Sequence, residues 1–99
     1  MPESQVLMIE LKKYGFRFYL ENNPEKSWFI NVNELKPEYF NFVEETNRET
    51  HNVSDYKYED FGVKNILELL IALILRPNEY FEQLTGEKSD IKEIHIFHF

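Results

Sequence analysis

Between Phe16 and Asn33 the chain alternates apolar and polar residues with a period of two. Phe16, Phe18 and Leu20 fall on one side, and Arg17, Tyr19 and Glu21 on the other. Such alternation marks a half-buried strand. The turn-forming run Asn22-Asn23-Pro24-Glu25-Lys26 interrupts it. Trp28, Ile30 and Val32 then alternate against Phe29, Asn31 and Asn33. The two stretches predict a β-hairpin over 16–21 and 28–33, closed by a five-residue loop.

The remaining pattern is read as helix and strand around that hairpin. Residues 3–14 begin with Glu3, end with Lys12 and Lys13, and are followed by Gly15. This order suits a helix dipole and a glycine stop, so the preferred reading is a helix. The run Val6-Leu7-Met8-Ile9 leaves a buried strand as the alternative. Pro37 can open a helical turn, and Tyr39, Phe40, Val43 and Asn47 recur at helical spacing. They predict a short helix over 37–47, with a strand over 39–45 as the alternative. Residues 46–55 are polar and read as a loop. Val53 to Tyr58 alternates weakly and reads as an edge strand. Over 63–76 apolar residues surround nearly the whole helical circumference, which predicts a helix buried on most sides. Pro77 interrupts it. Residues 78–84 predict a second short helix that stops at Gly86. Residues 91–98 alternate with both sides partly apolar, which predicts an inner strand added to the hairpin. The sum is one α+β domain with a small, mostly antiparallel sheet.

The composition fits a globular core: 42% of the 99 residues are hydrophobic and 16% are aromatic. Cysteine is absent. Disulfides, thiolate metal sites and cysteine nucleophiles are therefore excluded, and a reducing cytoplasm is the expected compartment. Met1 to Lys13 has no basic n-region and no cleavage pattern, so it does not read as a secretory signal. The longest apolar run, Ile66 to Leu75, would cover roughly half of a bilayer core. The net charge of −7 disfavours phosphate backbones and anionic lipid as partners and favours basic proteins.

No motif names a reaction. His95 and His98 are three apart, so on a strand they point to opposite faces and cannot share a metal ion. His51 sits in a polar stretch near Glu49 and Asp55. The expected role of all three is packing or solvation rather than catalysis or zinc binding. The segment from Asp55 to Asp60 lacks the glycine and ligand spacing of a calcium loop. G-x-S-x-G, a P-loop and G-x-G-x-x-G are all missing. The chain is therefore read as a non-enzyme with no cofactor and no catalytic residues.

The candidate site lies in residues 34–61. Eight acidic side chains stand there against three basic ones, a balance of −5 out of the chain's −7, with six aromatic rings among them. An anionic, aromatic surface suits a basic protein, because charge steers the encounter and buried rings hold the complex. Glu44, Glu45, Glu49, Asp55, Tyr56, Tyr58, Glu59 and Asp60 are the expected partner-binding residues. In composition the chain resembles the small acidic immunity proteins that bacteria make against their own toxins, nuclease toxins included. The resemblance involves no motif and carries over no residue. It implies an inhibitor that fills a cationic cleft with carboxylates. The alternative is a self-associating adaptor, secretion chaperone or phage accessory protein. In that reading the working surface, and a homodimer interface, is the apolar helix at 63–75.

Overall fold

The computed structural model describes residues 5–98. Five strands run as an antiparallel meander: β1 (Gln5–Lys12), β2 (Gly15–Leu20), β3 (Lys26–Val32), β4 (Tyr39–Thr46) and β5 (Glu49–Lys57). A 3-10 turn (Tyr58–Phe61) leads into α1 (Ile66–Leu75) and α2 (Pro77–Thr85). β6 (Ile91–Phe97) follows α2 and pairs parallel to β1. The sheet order is β5-β4-β3-β2-β1-β6. The helices thus carry the chain from one edge of the sheet to the other, as a parallel partner for β1 requires. The fold is α+β, as the sequence predicts.

The predicted hairpin forms, with Phe18 opposite Trp28 and Phe16 opposite Ile30. Opposed residues point to the same side of a sheet. One face therefore collects Leu7, Ile9, Phe16, Phe18, Trp28, Ile30, Phe40 and Phe42, all buried. Both helices lie over this face. Phe81 of α2 meets Phe18 and Trp28 edge-on at ring separations of 5.9 and 5.2 Å. At the β5 end, Tyr56, Tyr58 and Phe61 close around Phe40.

Two predicted helices are strands. Over 3–14 the described residues form β1, and Glu3 and Ser4 lie outside the described residues. Gly15 does not stop a helix. It opens β2, where an added Cβ would sit 1.8 Å from the Ile30 carbonyl oxygen. Lys12 forms an ion pair with Glu10, two residues back on the same side of β1, at 3.3 Å rather than serving a helix dipole. Over 37–47 the chain is β4, the strand alternative. Pro37 instead sits second in a β-turn, in which Tyr39 N–H donates to the Lys36 carbonyl at 2.9 Å. The helical spacing of Tyr39, Phe40 and Val43 is incidental, because Phe40 and Phe42 face the core and Val43 faces away.

Further corrections concern the edges. Most of the expected loop at 46–55 belongs to β5, joined to β4 by a two-residue turn at Asn47-Arg48. The expected edge strand at 53–58 is the second half of β5. β6 lies at the opposite edge beside β1, so it is not an inner strand of the hairpin. Asn78 fixes its start: the side chain accepts from Ile91 N–H at 2.7 Å and donates to the Ile91 carbonyl at 3.1 Å.

α1 begins later than predicted, capped by Asn65, whose side chain accepts from Glu68 N–H at 2.9 Å. Pro77 occupies the first turn of α2. α1 is also less covered than its apolar circumference predicts. Leu69, Ala72 and Leu73 are buried, while Leu67, Ile71 and Leu75 are exposed. No helix among the described residues is long and apolar enough to cross a membrane.

Candidate functional site

The eight expected partner-binding residues do not form one surface. Tyr58 is buried against Phe40, with ring centroids 5.1 Å apart, and burial pushes its hydroxyl above the usual tyrosine range. Tyr56 packs on Phe40, Phe42 and Phe61. Glu44 is on the helix-covered side, where it accepts from Trp28 Nε1 at 3.0 Å. Its neighbour Glu45 is on the other side, opposite Ser27, as is Asp55, opposite Asn41. Glu49 opens β5 at the tight turn, opposite Thr46. Glu59 and Asp60 are exposed on the 3-10 turn. The tyrosines are core, and the carboxylates are divided among a core edge, the open side of the sheet and a turn.

The sheet has a second face, which neither helix covers. One row of opposed residues crosses all six strands on it: Val53, Val43, Phe29, Arg17, Glu10 and Phe97. Tyr19 and Met8 stand opposite each other in the adjoining row. A sheet face left to water normally carries polar residues. Here Met8, Tyr19, Phe29 and Val43 are only partly buried, and Val53 is exposed.

A charged group is set among these side chains. Glu10 is 7% exposed and pairs with Arg17 and Lys12, each at 3.3 Å. The Arg17 guanidinium lies 4.4 Å from the Tyr19 ring centroid and 5.8 Å from that of Phe29. Glu10 and the two rings therefore hold Arg17 across the face by charge and by cation–π attraction.

Towards the turns this face opens into a polar cleft of about 490 Å³, lined by Arg17, Ser27, Glu45 and the turn residues Pro24, Glu25, Asn47 and Arg48. Asn47 and Arg48 both have left-handed backbone, with φ of 52° and 67°. That is the conformation of a two-residue type I′ hairpin turn, whose second position favours glycine.

Comparison with protein-family models, curated proteins and solved structures found no match.

The histidines add no cluster. His95 stands on the open face opposite Met8, with its ring against the Glu93 carboxylate. Among the described residues, no three His, Asp or Glu side chains converge as metal ligands. Strand alternation alone does not single out the open-face residues, because it places Tyr19 and Phe29 on the polar side of their strands. The available signal was that those polar sides carry Tyr19 and Phe29, and that Met8 sits within the unbroken run from Val6 to Ile9. Apolar residues on both sides of a strand mark one whose two faces are both meant to be covered.

Proposed function

We propose that the protein is a non-enzymatic binding module that holds and blocks a basic protein partner on the open face of its sheet. The observation that carries this reading is Arg17, held between Tyr19 and Phe29 on the sheet face that neither α1 nor α2 covers. Tyrosine, other aromatics and arginine dominate binding energy where they stand desolvated at the centre of an interface. Glu45 and Asp55 lie towards the rim of the same face, where charge sets encounter rate more than grip. The net charge of −7 favours a cationic partner. An immunity-type inhibitor of a toxin or nuclease is the specific form of this reading, with the working surface moved from the acidic stretch to the sheet.

The test is a comparison of variants against the partner that the wild-type protein captures. Tyr19→Ala combined with Phe29→Ala is expected to weaken binding by at least about 100-fold, mostly through faster dissociation. Glu59→Lys combined with Asp60→Lys is expected to alter the association rate and its salt dependence by only a few-fold. Calorimetry and stopped-flow mixing read both. The reverse ranking would place the partner on the 3-10 turn and refute the open-face assignment.

A further inference from the structure

We infer that α1 is a self-association surface on which a second copy of this chain packs antiparallel, about a two-fold axis at Ile71. Leu67, Ile71 and Leu75 are 61, 45 and 73% exposed and recur every four residues, so they form one stripe along the helix. Leu70 and Ile74 flank the stripe, half-buried. The only charge within α1 is Glu68. For a chain of net charge −7, this face lets two copies meet without stacking carboxylates on carboxylates.

The stripe is complementary to itself, which a two-fold interface requires. It reads Leu–Ile–Leu in either direction. A two-fold axis at its centre puts Ile71 on Ile71 and Leu67 beside Leu75 of the other copy. The two ends also differ in shape. At the Leu67 end an apolar groove of about 390 Å³ opens between α1 and the β1–β2 turn. Phe16, Val32, Ile66 and Leu70 are among its walls. At the other end Leu75 projects. Antiparallel packing seats each Leu75 at the other copy's groove, and the axis repeats that contact. The same order sets the two helix dipoles against each other favourably. A parallel pair would leave both grooves empty of Leu75.

This surface is independent of the open face of the sheet, so either assignment can fail alone. Sedimentation equilibrium of the full chain, from micromolar to hundreds of micromolar, is expected to show a monomer–dimer equilibrium. Leu75→Glu should raise the dimer dissociation constant by at least about 100-fold while circular dichroism stays unchanged. Leu67→Glu provides a second variant at the groove end. The chain has no cysteine, so single cysteines report the geometry directly. Ile71→Cys, on the axis, should cross-link to itself under mild oxidation, and Leu67→Cys should cross-link only to Leu75→Cys. A monomer at every concentration would overturn the proposal. So would a dimer unaffected by Leu75→Glu, or self-cross-linking of Leu67→Cys as efficient as that of Ile71→Cys.

Discussion

The two faces of the sheet are built from the same strands and carry similar side chains, but only one is closed. On the helix side, Phe18 and Trp28 stack at 5.5 Å and Phe81 caps them. On the open side, Tyr19 and Phe29 are nearest neighbours of those two residues, and an arginine lies between their rings instead of a helix. The polar groups differ in the same way. Each face holds a carboxylate with partners, Glu44 on the indole and Glu10 on Arg17 and Lys12. The contrast teaches that ring content alone does not identify a core. What separates core from candidate interface is which element crosses above, and in this chain the helices cross on one side only.

The sharpest test of that contrast compares one ring from each face. Phe81→Ala removes the side chain that closes the covered face, and a loss of about 3–5 kcal/mol is expected. Phe29→Ala takes a similar ring from the open face, where little cavity is left behind, and should cost about 1 kcal/mol or less. Urea unfolding followed by Trp28 fluorescence measures both. Equal losses would mean that the second face is packed like a core, and the distinction would collapse.

Two adjacent glutamates of β4 stand on opposite faces. Glu44→Ala leaves the Trp28 N–H without its acceptor and should cost about 1–3 kcal/mol. Glu44→Gln keeps an acceptor and should recover most of that. Glu45→Ala, one residue on and on the other face, should change stability by less than about 0.5 kcal/mol. A destabilised Glu45→Ala would show that the open-face rim contributes to folding as well as presenting charge.

How much of this was legible in the sequence follows from the range of the forces involved. The hairpin at 16–33 was readable because strand period and turn residues are both local. α1 and α2 were readable for the same reason, with Pro77 marking the joint. β1 is legible only as the alternative to a helix, because Gly15 looks like a helix stop when its real constraint is the Ile30 carbonyl, fifteen residues further on. β4 stands only as the alternative reading because Tyr39, Phe40 and Val43 match a helical period by chance, and only pairing with β3 shows that Val43 points away from Phe40. The site was the least legible part. Tyr56 and Tyr58 sit among carboxylates in sequence, and their burial comes from Phe40 and Phe61 in space. The row that unites Phe29, Arg17 and Glu10 joins three strands, and no local pattern encodes it.

Alkaline titration probes the covered side of the sheet by its chemistry. Burial raises the Tyr58 hydroxyl above its ordinary value of 10.0. The hydrogen bond to Glu87 raises Lys26 above 10.5. Both groups hold their proton more tightly in the folded chain than in the unfolded one. Their stabilisation is therefore complete below the unfolded values and is lost as pH rises through the folded ones. Unfolding free energy should fall from about pH 10 upward. Tyr58→Phe should make that fall shallower. Urea midpoints at several alkaline pH values decide this, and a slope unchanged in Tyr58→Phe would count against burial of that hydroxyl.

The turn at Asn47-Arg48 tests whether the open face has been shaped for use. Arg48 holds φ at 67°, a backbone region that costs an ordinary L-residue about 1 kcal/mol or more. Glycine is the residue that a type I′ turn favours there, and its greater freedom when unfolded offsets part of the gain. Arg48→Gly should therefore stabilise the fold by about 0.5–1 kcal/mol. Arg48 also lines the cleft that opens beside Arg17. If that cleft belongs to the binding face, the stabler variant should bind the captured partner more weakly than the wild type. A left-handed residue kept at a cost to stability is expected where it serves a site. A variant that is both stabler and equal in binding would confine the partner to the aromatic row around Arg17 and leave the turn outside the interface.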